Sequence, residues 1–299
     1  MSKHQREALD KAIRDFPFDP SVNVEEARAG FDAGQTRPLP DEAGAASITI
    51  GGIPALELYP AATGGTLLYL HGGGYVLGSA RTGAPLADGL AARAGLRAVA
   101  IDYRLAPEAP YPAAVEDGLA AYRGLLESGI EPHRLVLAGD SAGGGLTLAT
   151  LLAARAAGLP QPAAAVVFSP WTDLTLSGST VETKSDADPL FDRAGLQWFA
   201  DRYLRGGTDP VDPLISPALA DLTGLPPILI QVGSREVLLD DAVRLAAKAA
   251  EADVEVALEV GADLPHVFQN QAGSLDEADA ALDRASRFLT EKLAGALAL

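Results

Sequence analysis

The sequence predicts an α/β fold, an eight-stranded, mostly parallel sheet flanked by helices, with a helical cap. Three observations carry this. From about residue 45 onward, short apolar runs alternate with helical stretches, the pattern of strands buried on both faces and joined by crossover helices. The first two runs are joined by GGIP at 51–54, a hairpin signal that makes the start antiparallel. The stretch RLVLAGDSAGGGLTLAT at 134–150 moves from a β-branched apolar run to good helix formers through a glycine-rich turn.

Taken in order, residues 3–15 place Leu9, Ala12, Ile13 and Phe16 on one side of a helix, and a second helical piece is expected at 24–33. Pro38 and Pro40 loosen the chain before the core. Strands are expected at 47–50, 55–59, 66–70, 97–101, 134–138, 164–168, 227–231 and 254–259. Helices are expected at 82–94, 112–127, from the serine turn onward, at 192–204, 240–252 and 275–294. The connection 178–215 is too long for an ordinary crossover, and long connections in compact α/β domains are usually lids or caps. The division expected is therefore an N-terminal helical segment at 1–45, the core at 46–177 and 216–299, and a lid or cap insertion at 178–215.

A chain of 299 residues in such a fold forms one core with an insertion. With 23 basic against 40 acidic residues the net charge is −17, so the surface should repel nucleic acid and anionic membranes. The acidity itself reads as solubility or salt adaptation. No cysteine is present, which excludes disulfides, Cys-ligated metals and thiol catalysis. The N-terminal stretch MSKHQREALDKAIRDF has no apolar core of a signal peptide, and no apolar run approaches the roughly 20 residues of a membrane span. A cytoplasmic protein is expected, with a small-molecule partner and with room for a homodimer.

Within GDSAGGG lies GxSxG, with Ser141 flanked by Gly139 and Gly143. A serine on so sharp a turn stands clear of the sheet only where its neighbours lack bulk. Its hydroxyl is a weak nucleophile and needs a base, which in turn needs an orienting acid. Ser141, Glu236 and His266 follow the fifth, seventh and eighth expected strands, at the carboxyl ends where open α/β sheets bind ligands. Ser, acid, His is also the chain order of the α/β-hydrolases. The other histidines are set aside by position: His4 in the first helix, His133 at the wrong end of a strand, His71 in HGGG. HGGG at 71–74 offers backbone N–H groups unshielded by side chains, suited to stabilising an oxyanion, so the hole is expected from Gly73, Gly74 and the N–H of Ala142. A phosphate-cradling alternative lacks both a Walker lysine and a placed GxGxxG.

With these residues in view the chain resembles the hormone-sensitive-lipase-like bacterial esterases of the α/β-hydrolase superfamily. The resemblance rests on HGGGYVLGS at 71–79, DYRLAPEAPYPA at 102–113, GDSAGGG at 139–145, SPWTDLT at 169–175 and LPHVFQ at 264–269. It implies short-to-medium acyl esters as substrates, an acyl-serine intermediate, no cofactor or metal, and a cap built from the N-terminal helices of 1–45 together with the insertion 178–215. Asp102, Arg104 and Glu108 are expected to brace the neighbouring HGGG turn. One departure stands out: where the family usually opens its acid motif with Asp, this sequence has Glu236 in EVLLD, with Asp240 four residues on.

Four carboxylates compete for the acid. Asp140 is assigned to bracing the turn, Asp173 to the SPWTDL motif and Asp240 to a helix N-cap, which leaves Glu236. The two DPL segments at 188–190 and 212–214 read as chance. Tyr75, Phe16, Phe18, Trp198, Phe199 and Tyr203 are expected in the substrate pocket. A lactone hydrolase would need the same machinery, and a non-catalytic small-molecule receptor would be marked by loss of the serine or histidine, both of which are present.

Overall fold

A computed structural model describes residues 3–15, 18, 19, 21–205 and 207–296. Phe16 lies outside them. The N-terminal helices are α1 (Lys3–Arg14) and α2 (Val24–Gln35), the latter capped by Asn23, whose side chain accepts from the Glu26 N–H. The core then runs β1 (Ala46–Ile50), β2 (Ile53–Leu58), β3 (Thr66–Leu70), α3 (Ala80–Ala94), β4 (Arg97–Ile101), α4 (Ala113–Glu127), β5 (Leu135–Asp140), α5 (Ala142–Ala156) and β6 (Ala164–Phe168). After β6 come a short α6 (Thr180–Thr183) and α7 (Arg193–Tyr203). The core closes with β7 (Ile228–Gly233), α8 (Leu239–Glu251), β8 (Val256–Gly261) and α9 (Asp276–Ala296).

The eight strands form one sheet in the order β1-β2-β4-β3-β5-β6-β7-β8. Pairs β1–β2 and β2–β4 are antiparallel and all others parallel. Side chains of a strand alternate between faces, and the core divides accordingly. Leu68, Leu70, Leu137 and Val167 pack under α4, α5 and α8. Leu67, Tyr69, Val136 and Val166 pack under α3 and α9. Every residue of β3, β5 and β6 is buried, which is why they read as continuous apolar runs.

Three strands run past the ends expected from sequence, β5 to Asp140, β7 to Gly233 and β8 to Gly261. Glycine reads as punctuation in a sequence, yet Gly139 pairs with Leu70, and Gly233 with Gly261, in regular register. With β3 and β5 adjacent at the centre of the sheet, the HGGG loop and the serine turn leave it side by side.

The N-terminal helices are tied to the core by charge. Arg28 of α2 donates to Val76 O (2.9 Å), Ala106 O (3.0 Å) and Glu108 (2.7 Å). From α1, Arg6 reaches Asp263 (3.3 Å) and Leu9 packs against Leu264, Phe268 and Leu275. Among the described residues no helix is long and apolar enough to cross a membrane.

Candidate active site

Ser141 alone separates β5 from α5, at φ 54° and ψ −123°. A non-glycine residue at positive φ costs about 1–3 kcal/mol and persists only where its surroundings over-determine it. Here Ser141 N donates to Phe168 O (2.8 Å), while Ser141 O accepts from Gly144, Gly145 and Trp171 N–H groups. The flanking glycines are required by close approach. A Cβ on Gly143 would lie 2.1 Å from Leu70 O, and one on Gly139 would lie 2.3 Å from Gly143 O.

The HGGG loop is held from below. Asp140 Oδ1 accepts from the Tyr69 hydroxyl (2.7 Å) and from Gly72 N (3.0 Å), so it braces the HGGG loop rather than the serine turn expected from the sequence. Burial pushes the Asp140 carboxyl above its ordinary range, against those same hydrogen bonds. Tyr103 donates to His71 O (2.8 Å) and stacks on its ring at 4.1 Å. His71 is buried, and burial lowers its pKa to about 4, so it is neutral at pH 7 and donates from Nδ1 to Gly72 O. Gly73 and Gly74 sit at φ 114° and 62°. Among the described residues their N–H groups, and that of Ala142 at the head of α5, donate to no protein acceptor.

The charged trio of the following loop does something other than expected. Asp102 accepts from Ala80 N (2.6 Å) at the start of α3, Arg104 pairs with Glu116 and Asp117 of α4, and Glu108 pairs with Arg28 of α2. Tyr103, between Asp102 and Arg104 in sequence, is the residue of this loop that braces the turn, together with Asp140.

Glu236 and His266 meet across the ends of β7 and β8, His266 Nδ1 donating to Glu236 Oε2 at 2.8 Å. Glu236 is fully buried. Its Oε1 accepts from the Ser169 hydroxyl (2.7 Å) and from Gly233 N. Ser169 Oγ in turn accepts from Val267 N (3.0 Å), fixing the residue after the histidine. Burial pulls the His266 pKa down, but the hydrogen bond and charge of Glu236, then the charges of Asp188 and Asp140, outweigh it and leave the pKa raised.

The competing acids are engaged elsewhere. Asp173 binds Arg244 (2.8 Å), Thr175 and Ser177. Asp240 accepts from Ser179 N (2.9 Å) and pairs with Arg244. It sits inside α8, whose N-cap is Leu238, so it is not the N-cap expected. One expectation is overturned: Asp188, in the first DPL segment, is no chance match. It is buried and accepts from Val237 N (2.8 Å), the residue next to Glu236.

Ser141 and His266 line one cavity of about 700 Å³. Among the described residues no hydrogen bond joins them; in free enzymes such pairs often close only with substrate present. Gly73 and Gly74 are in its wall. Of the pocket residues expected, Phe18 and Phe199 line the cavity. Tyr75, Trp198 and Tyr203 do not. Tyr75 and Tyr203 are buried in a mutual stack at 3.9 Å, and Trp198 is sandwiched by Phe18, Phe199 and the Arg202 guanidinium. Sequence reasoning missed Phe31, Trp171 and Phe191, which do line it. The amphipathic pattern of α2 carried a signal for Phe31; nothing local marked Phe191.

A family model described as "alpha/beta hydrolase fold" matches residues 67–270. The chain is 50% identical over 243 residues to an "Acetyl-hydrolase" of Streptomyces hygroscopicus, covering 81% of each. It is 35% identical to an "Esterase" of Acinetobacter venetianus, covering 95% of this chain and 88% of that one. A solved "esterase from the bacterial hormone-sensitive lipase (HSL) family" superposes with a TM-score of 0.93 at 43% identity, over 98% of this chain and 100% of that one. The serine turn, the glycine loop and the buried Glu–His pair thus stand in a chain that belongs to the hormone-sensitive-lipase-like carboxylic ester hydrolases of the α/β-hydrolase fold.

Proposed function

We propose that Ser141 is the nucleophile, His266 the general base and acid, and Glu236 the residue that orients the imidazole, acting on short-to-medium acyl esters. The observation that carries this reading is the 2.8 Å bond from His266 Nδ1 to a fully buried Glu236. His266 lines the cavity that also holds Ser141, with Glu236 buried behind it. With Nδ1–H given to Glu236, Nε2 is left as the acceptor for the serine proton. Ser141 Oγ attacks the ester carbonyl carbon as its proton passes to His266 Nε2. The N–H groups of Gly73, Gly74 and Ala142 receive the oxyanion. The imidazolium then returns the proton to the departing alkoxide, leaving an acyl-serine and a free alcohol. Water repeats the sequence and releases the acid. Residues 1–45 and 178–215 act as the cap, since Phe18 and Phe31 from the first and Phe191 and Phe199 from the second close the cavity over Ser141.

The experiment is turnover of p-nitrophenyl esters of increasing acyl length by the wild type and by Ser141→Ala, with covalent labelling by a phosphonate. The label should attach to Ser141, and the variant should lose turnover on the order of a millionfold. Substantial turnover by a purified Ser141→Ala protein would sink the mechanism.

A further inference from the structure

A buried carboxylate that the proposed triad does not use stands directly behind it. Asp188 lies in the connection between β6 and α7, with 6% of its surface exposed. Its Oδ1 accepts from Leu190 N (2.8 Å) and Phe191 N (3.2 Å), and its Oδ2 from Val237 N (2.8 Å). Those three N–H groups belong to two functional walls. Val237 follows Glu236. Leu190 and Phe191 line the cavity, and the Phe191 ring stands edge-on to the His266 imidazole at 5.4 Å. One carboxylate therefore fastens the acid-bearing loop of the core to the aromatic that shields the base.

We infer that Asp188 is a positioning residue for the ester hydrolysis, coupling the 178–215 insertion to the Glu236–His266 pair so that the pocket wall and the base are set as one unit. The inference rests on the triad reading above. Two consequences differ from those of a carboxylate that only holds the fold together. First, losing the Val237 bond frees the backbone beside Glu236, so turnover should fall more than substrate binding. Second, Asp188 contributes negative charge near His266, along with Glu236 and Asp140. Glu236 and His266 likewise act on Asp188, whose own carboxyl burial pushes upward. Two cations, Arg14 and Arg235, donate to Ala187 O beside Asp188; Arg14 is paired with Asp10, and Arg235 with Asp10 and Asp263. Removing the Asp188 charge makes the imidazolium easier to deprotonate, which lowers the His266 pKa.

The substitution Asp188→Asn keeps the shape but cannot satisfy all three donors, because its NH2 group would face an N–H. Asp188→Ser removes the charge with less bulk and keeps one acceptor, and so provides a folded variant where the amide is rejected. Asp173→Asn, a change at a buried carboxylate held by Arg244, reports what loss of fold stability alone does. Each full-length protein is checked by circular dichroism and thermal melting, then assayed on p-nitrophenyl butyrate from roughly pH 5 to 9, a range that brackets histidine titration. Both Asp188 variants should lose roughly ten- to hundredfold in kcat, the scale of one unsatisfied buried group. Their KM should change less than kcat, and the acid limb of kcat/KM should move to lower pH, while Asp173→Asn keeps the wild-type limb. The inference is overturned if the Asp188 variants keep the wild-type limb, or lose activity only in proportion to their unfolded fraction. A wild type inactive on every ester would instead defeat the triad reading.

Discussion

Glutamate reaches His266 from a loop position three residues beyond Gly233, the end of β7. Its extra methylene spans a gap that aspartate spans from nearer backbone, and Ser169 with Gly233 N–H holds its other oxygen. In Glu236→Gln the amide removes the anion that fixes the imidazole tautomer, so turnover should fall on the order of ten-thousandfold. Asp173→Asn and Asp240→Asn, tested in the same assay, should lose far less, since both carboxylates serve α6 and α8 rather than His266. Comparable loss in either, with its fold preserved, would reassign the acid. The raised His266 pKa also sets a pH signature. Only neutral imidazole can accept the serine proton, so kcat/KM should rise with pH through a midpoint above the ordinary histidine value of about 6.5. Stability runs the other way. A histidine whose pKa is raised by folding contributes fully below its unfolded value, and that contribution is lost as pH climbs through the folded one. A kcat/KM midpoint below about 6.5 would mean that burial, not Glu236, governs the base. Ser141 and His266 were legible because chain order and strand ends constrain them. Asp188 and Ser169 were not, because an isolated carboxylate or hydroxyl acquires its role only from N–H groups brought by distant strands.

At the scale of elements, α2 shows most clearly how the cavity is shaped. Gly30, within the helix, and Gly34, one turn on in its last turn, line the cavity. Neither has positive φ, and a Cβ at either would meet nothing within 4 Å. Glycine inside a helix costs about 0.5–1 kcal/mol relative to alanine, and neither backbone geometry nor packing requires it here. What the two residues keep is open space. Gly30→Ala and Gly34→Ala should each raise the melting temperature, by roughly the amount that 0.5–1 kcal/mol supports. Gly34→Leu should narrow the cavity and lower the ratio of p-nitrophenyl hexanoate to acetate turnover about tenfold, the discrimination available from apolar fit. An unchanged ratio would remove α2 from the acyl site. The strands of the core were legible as apolar runs because they are buried on both faces. The glycine tails of β5, β7 and β8 were not, since their pairing depends on neighbours far along the chain. The pocket aromatics were half legible: aromatic residues in the insertion were expected over the site, but which rings turn inward is settled by stacking, as for Tyr75 on Tyr203.

The whole molecule carries a net charge of −17, and like charges spread over one compact surface repel at long range. Added monovalent salt screens that repulsion, with a Debye length of about 10 Å at 0.1 M. The melting temperature should therefore rise from low salt to about 0.15 M sodium chloride, a range over which screening tightens. A fall would mean that surface ion pairs such as Arg93 with Asp279 and Asp283 outweigh the net repulsion. The ends of the fold are joined in the same currency of charge and apolar contact. Arg6, at the start of α1, bonds to Ala262 O and Asp263 and pairs with Glu277, while Asp10 pairs with Arg235. Helix α1 meets Ala187 and Arg235 before β8 is made, but its seat is complete only when the residues after β8 exist. At roughly 5–20 residues per second it waits on the order of tens of seconds on the ribosome. Through that interval the serine turn can already be folded while its base is unmade and its roof undocked. A growing chain of this protein would therefore hold its proposed nucleophile long before its proposed base, and the site is complete only once the segment after β8 is made and docks with α1.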